Sequence, residues 1–201
     1  LWSRGLGDVY KRQLYERSSI DDSTYTFIAD DMAINDSLGL GEFRGNAIYA
    51  SKDTVGFDLL ANNIKTNRNK SALLATEMPL LLIKQAKDTM YISADTLYSG
   101  KITDLTRPFP KARDSAGKMT DSTLNKYFEA FHNVKIYSDS LQAKCDSLFY
   151  ALSDSTIRLI HHPIVWTSNN QITGDTIYMY VKDKKPEQLN VFENAFAINK
   201  L

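Results

Sequence analysis

Residues 88–95 read "DTMYISAD" and residues 175–183 read "DTIYMYVKD". Aligned, Met90, Ile92 and Ala94 stand against Ile177, Met179 and Val181. Thr89, Tyr91 and Ser93 stand against Thr176, Tyr178 and Tyr180. Successive side chains of a strand point to opposite faces. Each stretch therefore reads as a strand with one aliphatic face and one face of tyrosine and hydroxyl. Residues 24–30 fit as a third, weaker copy, with Tyr25, Phe27 and Ala29 on the apolar side.

The same alternation recurs outward from these copies, in "TYTFIAD", "NAIYAS", "NVKIYSD" and "NVFENAFAI". Clusters of Asp, Asn, Ser, Gly and Lys separate them. Period-two runs of β-branched and aromatic residues bounded by turn formers predict half-buried antiparallel strands. Helical periodicity is scarce. Its best candidate is Leu59–Lys65, weakened by the Asn62-Asn63 pair, and residues 139–152 read better as strands than as an amphipathic helix. The expectation is an all-β chain.

Spacing then suggests a repeat. Asn46 opens "NAIYAS" and Asp88 follows 42 residues later; Asn133 opens "NVKIYSD" and Asp175 also follows 42 residues later. A proline begins an apolar strand inside each interval, Pro79 in "MPLLLI" and Pro163 in "HPIVW". Asn194 restarts the series 61 residues after Asn133. The unit expected is about 61 residues of several strands, stacked so that neighbours bury a shared core. The longer first interval has its surplus in residues 101–126, proline-bearing and charged, expected as an insertion or mobile loop.

The proline-led strands add Leu80, Leu82, Ile164 and Trp166 to the apolar side. With Met90, Ile92, Ala94, Ile177, Met179 and Val181 they form the expected lining of a groove. Most of these are medium-sized, so a folded-over sheet lined by them has room for an apolar ligand, at about 0.8 kcal/mol per buried methylene.

Composition removes several alternatives. The chain has 201 residues, with 24 basic and 24 acidic, so it lacks the positive excess of a nucleic-acid binder. One cysteine, Cys145, allows no intrachain disulfide. His161 and His162 are adjacent and point to opposite faces of a strand; His132 has no evident third ligand, so no metal is expected. The many aspartates sit beside Ser, Thr or Gly, where they satisfy turn donors. "GLGEFRG" at 39–45 lacks the Lys-Ser/Thr of a phosphate loop and reads as a turn. Lys52, Lys65, Arg68, Lys70, Lys84, Lys87 and Lys101 are candidates for a basic rim. No catalytic residue and no cofactor is expected. Residues 1–13 look like translated sequencing-library adaptor and are set apart from the domain, 14–201.

In the stretches 43–53, 88–100, 131–183 and 193–198 the chain resembles the OstA-like family of lipopolysaccharide-transport proteins, the LptA type. The resemblance implies a V-shaped β-jellyroll, or β-taco, of repeated antiparallel strands with one irregular insertion. It implies a periplasmic, non-enzymatic carrier in a Gram-negative bacterium, with a signal peptide preceding the domain. Lipopolysaccharide acyl chains would lie in the groove. Other Lpt-type proteins, or copies of the chain, would stack end to end on it. Two readings remain beside this one: a structural β-repeat scaffold or adhesin with a self-filled core, and a carbohydrate-active β-solenoid enzyme with two converging carboxylates.

Overall fold

The computed structural model describes residues 11–52, 57–84, 89–105, 126–151, 153–182 and 185–199. Within them sixteen strands form one sheet: β1 Lys11–Asp21, β2 Tyr25–Asn35, β3 Leu40–Ser51, β4 Phe57–Asn67, β5 Ala72–Thr76, β6 Leu80–Lys84, β7 Thr89–Ser93, β8 Thr96–Lys101, β9 Lys126–Tyr137, β10 Leu141–Ala151, β11 Thr156–Ile160, β12 Ile164–Thr167, β13 Asn170–Thr173, β14 Thr176–Lys182, β15 Lys185–Phe192 and β16 Phe196–Asn199. Every pairing is antiparallel. A 3-10 turn, Ile102–Asp104, follows β8. The expected all-β architecture of antiparallel strands is what forms. Leu59–Lys65 lies within β4, so the helix considered there is a strand. No helix among the described residues is long and apolar enough to cross a membrane.

The sheet is folded into two arms. Long strands run through both: residues 63–67 of β4 pair with β5, whereas residues 57–60 pair with β6. β9 changes partner in the same way from β8 to β7, and β10 from β11 to β12. The first arm carries β5, β8, β11, β14 and β15; the second carries β6, β7, β12, β13 and β16. Buried side chains of both arms join in one core, including Met32, Ile64, Leu97 and Met179 from the first and Leu59, Leu81, Ile92 and Val165 from the second.

A seam of corners joins the arms. Five passes of the chain turn through paired left-handed residues: Gly45-Asn46, Glu77-Met78, His132-Asn133, His161-His162 and Glu193-Asn194. The passes between them place a small residue and a polar one at the same level: Ala29-Asp30, Ala61-Asn62, Ala94-Asp95, Cys145-Asp146 and Gly174-Asp175. The small side chain tucks inward and the polar one faces out. The amides of Asn62, Asp95, Asp146 and Asp175 donate to the carbonyls of Glu77, His132, His161 and Glu193, each the first residue of the next corner. Side chains repeat the link: Asn46, Asn133 and Asn194 donate through Nδ2 to Asp30, Asp95 and Asp175 at 2.8, 2.9 and 2.8 Å. Asn tolerates the left-handed region better than most residues, and its amide reaches the neighbouring carboxylate. At Gly174 an added Cβ would come within 2.4 Å of Val191 Cγ1, so the approach there excludes a side chain.

This seam corrects the repeat. Asn46, Asn133 and Asn194 are equivalent, but each pass of one strand is itself a unit; corners at 29, 45, 61, 77 and 94 are 16 or 17 residues apart. Asp175 is the counterpart of Asp95, so "GDTIYMY" matches "ADTLYSG". Within the stretch that resembles it so closely, Thr89–Ser93 form β7 on the second arm, whereas β14 lies on the first. The two copies share a pattern and not a place.

Residues 11–13, expected outside the domain, extend β1 and pair with residues 33–35; residues 1–10 lie outside the described residues. Of the expected insertion, residues 106–125 also lie outside them. Lys101 ends β8, and Lys126 opens β9. Ile102 and Leu105 lie with Tyr98, Tyr127, Phe149 and Ala151 in a small second core on the outer face of the first arm.

Candidate functional site

Between the arms lies an open cavity of about 570 Å³. The first arm lines it with residues such as Phe43, Leu73, Leu148 and Ile157; the second contributes Phe27, Leu59, Leu81, Ile83, Met90 and Ile92. Cross-strand register explains the continuity of the second wall. Leu59, Leu81, Ile92, Ile136, Ala143, Val165 and Ile172 are partners in succession from β4 to β13 and share one face. Burial of each such aliphatic contributes about 1.5–3 kcal/mol.

One end of the cavity is aromatic. Phe27 of the second arm and Phe43 of the first stack with ring centroids 4.0 Å apart, tying the arms close to the seam. Tyr25, Tyr49 and Phe57 extend this cluster at centroid distances of 5.1–5.5 Å. The opposite border is polar. Arg12, Asp36, Arg68 and Lys126 line it, and Arg12 Nη2 lies 2.6 Å from Asp36 Oδ2. Among the described residues no carboxylate pairs with Arg68 or Lys126. The cavity thus combines apolar walls with a partly cationic border, an arrangement whose chemistry suits an amphiphile.

The structure divides the expected groove residues. Met90, Ile92 and Val181 line the cavity. Ala94, Ile177 and Met179 face inward and are buried, but their side chains are consumed by the core. Leu80, Leu82, Ile164 and Trp166 are on the opposite, outer face, which corrects the expectation. Pro79 and Pro163 are themselves buried, so alternation sends Leu81 and Val165 inward and their neighbours out. Leu81, Ile83 and Phe43 are among the lining residues that reading missed, with Leu59, Leu73, Leu148 and Ile157. The proline was the available signal, because an apolar ring at a strand start can occupy the inward position.

Other groups hold structural places. Cys145 fills the small-residue position of its corner, and burial pushes its thiol up to about 12. Asp146 is flanked by His132 Nδ1 at 3.1 Å and His161 Nδ1 at 3.6 Å; a hydrogen bond from Ser147, then the one with His132, hold its carboxyl below the ordinary range. No cluster of three or more His, Cys, Asp or Glu suited to a metal occurs among the described residues. Of the basic-rim candidates, Arg68 borders the cavity. Lys52, Lys65 and Lys84 pair with Asp21, Glu42 and Asp58; Lys87 lies outside the described residues.

No protein-family model matches the chain, and no curated protein does. Among solved structures it is similar to the crystal structure of LptH from Pseudomonas aeruginosa, described as the LptA-homologous periplasmic component of the conserved lipopolysaccharide transport device. The match covers 86% of this chain and 92% of that one, at 13% identity and a TM-score of 0.34.

Proposed function

We propose that the chain is a non-enzymatic periplasmic carrier that shelters acyl chains of lipopolysaccharide on their way to the outer membrane of a Gram-negative bacterium. The observation that supports this reading is the open apolar cavity of about 570 Å³ between the arms. Its volume is in the range of ligand sites. Each methylene moved from water into it contributes about 0.8 kcal/mol, so a few acyl segments suffice for affinity without bond chemistry. Sugars and phosphates remain outside, near Arg68 and Lys126. Residues 14–201 act as one carrier unit in this proposal.

The sheet ends on β1 at one side and on β15 and β16 at the other. Such edges invite pairing with another chain. Phe192, Phe196 and Ile198 are exposed at the latter end, which favours end-to-end partners of Lpt type or further copies of this chain.

The scaffold reading describes only part of the interior. On the second arm no residue of β12, β13 or β16 reaches the cavity, and Ala143, Val165 and Ile177 fill that region. The enzyme reading has little support from the seam carboxylates, since Asp30, Asp95 and Asp175 are engaged by asparagine amides.

A photo-crosslinking residue at Ile83, inside the cavity, is expected to capture lipopolysaccharide; the same residue at Leu82, one position along β6, is not. Equal capture from both, or none from Ile83, overturns the proposal.

A further inference from the structure

The outer face of the second arm carries a row of planar side chains with no covering element among the described residues. Cross-strand partners run Leu82, Tyr91, Tyr137, Gln142, Trp166, Gln171, Ile198 across six successive pairings from β6 to β16. Tyr91 is 37% exposed and Tyr137 51%. Their ring centroids are 6.3 Å apart. The core gains nothing from these rings, because Ile92, Ile136, Ala143 and Val165 already fill the inner side of the same strands.

One pleat nearer the seam is a second anomaly. Lys135 and Lys144 are direct cross-strand partners, both exposed. Like charges placed directly opposite cost stability. Among the described residues neither forms an ion pair, and only the indole of Trp166, 5.9 Å from Lys144 Nζ, approaches either ammonium. The indole N–H of Trp166 donates to Gln171 Oε1 at 2.9 Å, which fixes the ring and leaves the Gln171 amide hydrogens outward. The face therefore offers aromatic planes, that of Trp166 held by its hydrogen bond, carboxamides between them and an uncompensated pair of cations.

We propose that this outer face binds an anionic polysaccharide. The C–H faces of sugar rings stack on Tyr91, Tyr137 and Trp166, Gln142 and Gln171 meet hydroxyls, and Lys135 with Lys144 meets the acidic group. Pre-ordered aromatics lower the entropic cost of such contacts, and the paired cations supply charge complementarity. The site is on the reverse of the cavity wall, so it stands whether or not the cavity carries lipid.

Polygalacturonate is the probe, titrated calorimetrically into the full chain, with dextran as the neutral control. Polygalacturonate is expected to bind and dextran to bind far more weakly. Trp166→Ala and the double change Lys135→Gln with Lys144→Gln should each weaken binding about tenfold or more, with circular dichroism checking the fold. Tyr137→Ala, at a more exposed position, serves as a second aromatic test. Absence of binding overturns the inference. So does binding that Trp166→Ala and Tyr137→Ala leave unchanged, since that is charge attraction alone. Phosphatidylglycerol vesicles that compete through the same residues, or concentration-dependent dimerisation abolished by Tyr137→Ala, would assign the face to a membrane or to a second copy instead.

Discussion

The two arms share the long strands β2, β3, β4, β9 and β10, yet their outer faces differ. On the first arm Tyr127 and Phe149 are outward residues and still 6% and 4% exposed. The chain leaving β8 turns back over them with Ile102 and Leu105. Arg158 completes the cover, its guanidinium 5.6 Å from the Phe149 ring and 5.2 Å from Tyr178, and paired with Asp154. On the second arm Tyr91 and Tyr137 have no such cover among the described residues. Aromatic content does not decide which face is a core. The route taken by the connecting chain decides it, and a β-sheet can hold a satellite core on the outside of one arm while leaving an aromatic face open on the other.

The largest expected effect tests that contrast directly. Phe149→Ala should lower unfolding free energy by about 3–5 kcal/mol, whereas Tyr137→Ala should change it by less than about 1 kcal/mol. Urea denaturation followed by circular dichroism measures both, and equal losses would erase the distinction between the arms. A smaller effect is expected at the seam, which serves both arms alike. Asn133→Ala removes the bond to Asp95 and puts a residue that tolerates the left-handed region less well than asparagine at φ 54°, for a loss of about 1–3 kcal/mol. Asn133→Gly relieves the backbone and should cost less; a glycine variant as damaging as alanine would mean that the left-handed corner is not what Asn provides.

The smallest effect is electrostatic. The Asp146 carboxyl is held below its ordinary range in the folded protein, by Ser147 first and then by His132. A depressed folded value means stability that is present above the unfolded pKa and lost as pH falls through the folded one. Asp146→Asn should therefore lower stability slightly at neutral pH, leave it nearly unchanged at the acid end, and so flatten the acid limb of the stability–pH curve. An acid limb of unaltered steepness would show that the seam histidines and Ser147 do not engage this carboxylate.

Much of the fold was legible because alternation is a local property. Each strand carries its own inside and outside, so Met90, Ile92, Ile177 and Met179 were placed correctly although the two copies were matched across different arms. What alternation cannot convey is a break in its own phase. At each corner the inward positions skip: Leu59 and Ala61 precede the seam in β4, and Ile64 follows it. In β10 the inward series is Leu141, Ala143, Cys145, then Leu148. A gap of three inside a period of two imitates a helix, which is why Leu59–Lys65 and residues 139–152 looked ambiguous. The groove was half legible for a related reason. Phase on the proline-led strands depends on where the proline ring goes, and buried Pro79 and Pro163 shift Leu80, Leu82, Ile164 and Trp166 to the outer face. Those outward residues include Leu82 and Trp166, which lie in the row that now defines a surface of its own.

The regular seam also fixes how such a molecule can change in size. Since, among the described residues, the corners are bonded to the corners beside them, a pair of passes can be gained or lost without altering the geometry of the rest. Each addition would extend the interior by two strand spacings, roughly 10 Å. The volume of the interior is then a matter of counting passes, and it can grow by duplication of a short segment instead of redesign of the walls.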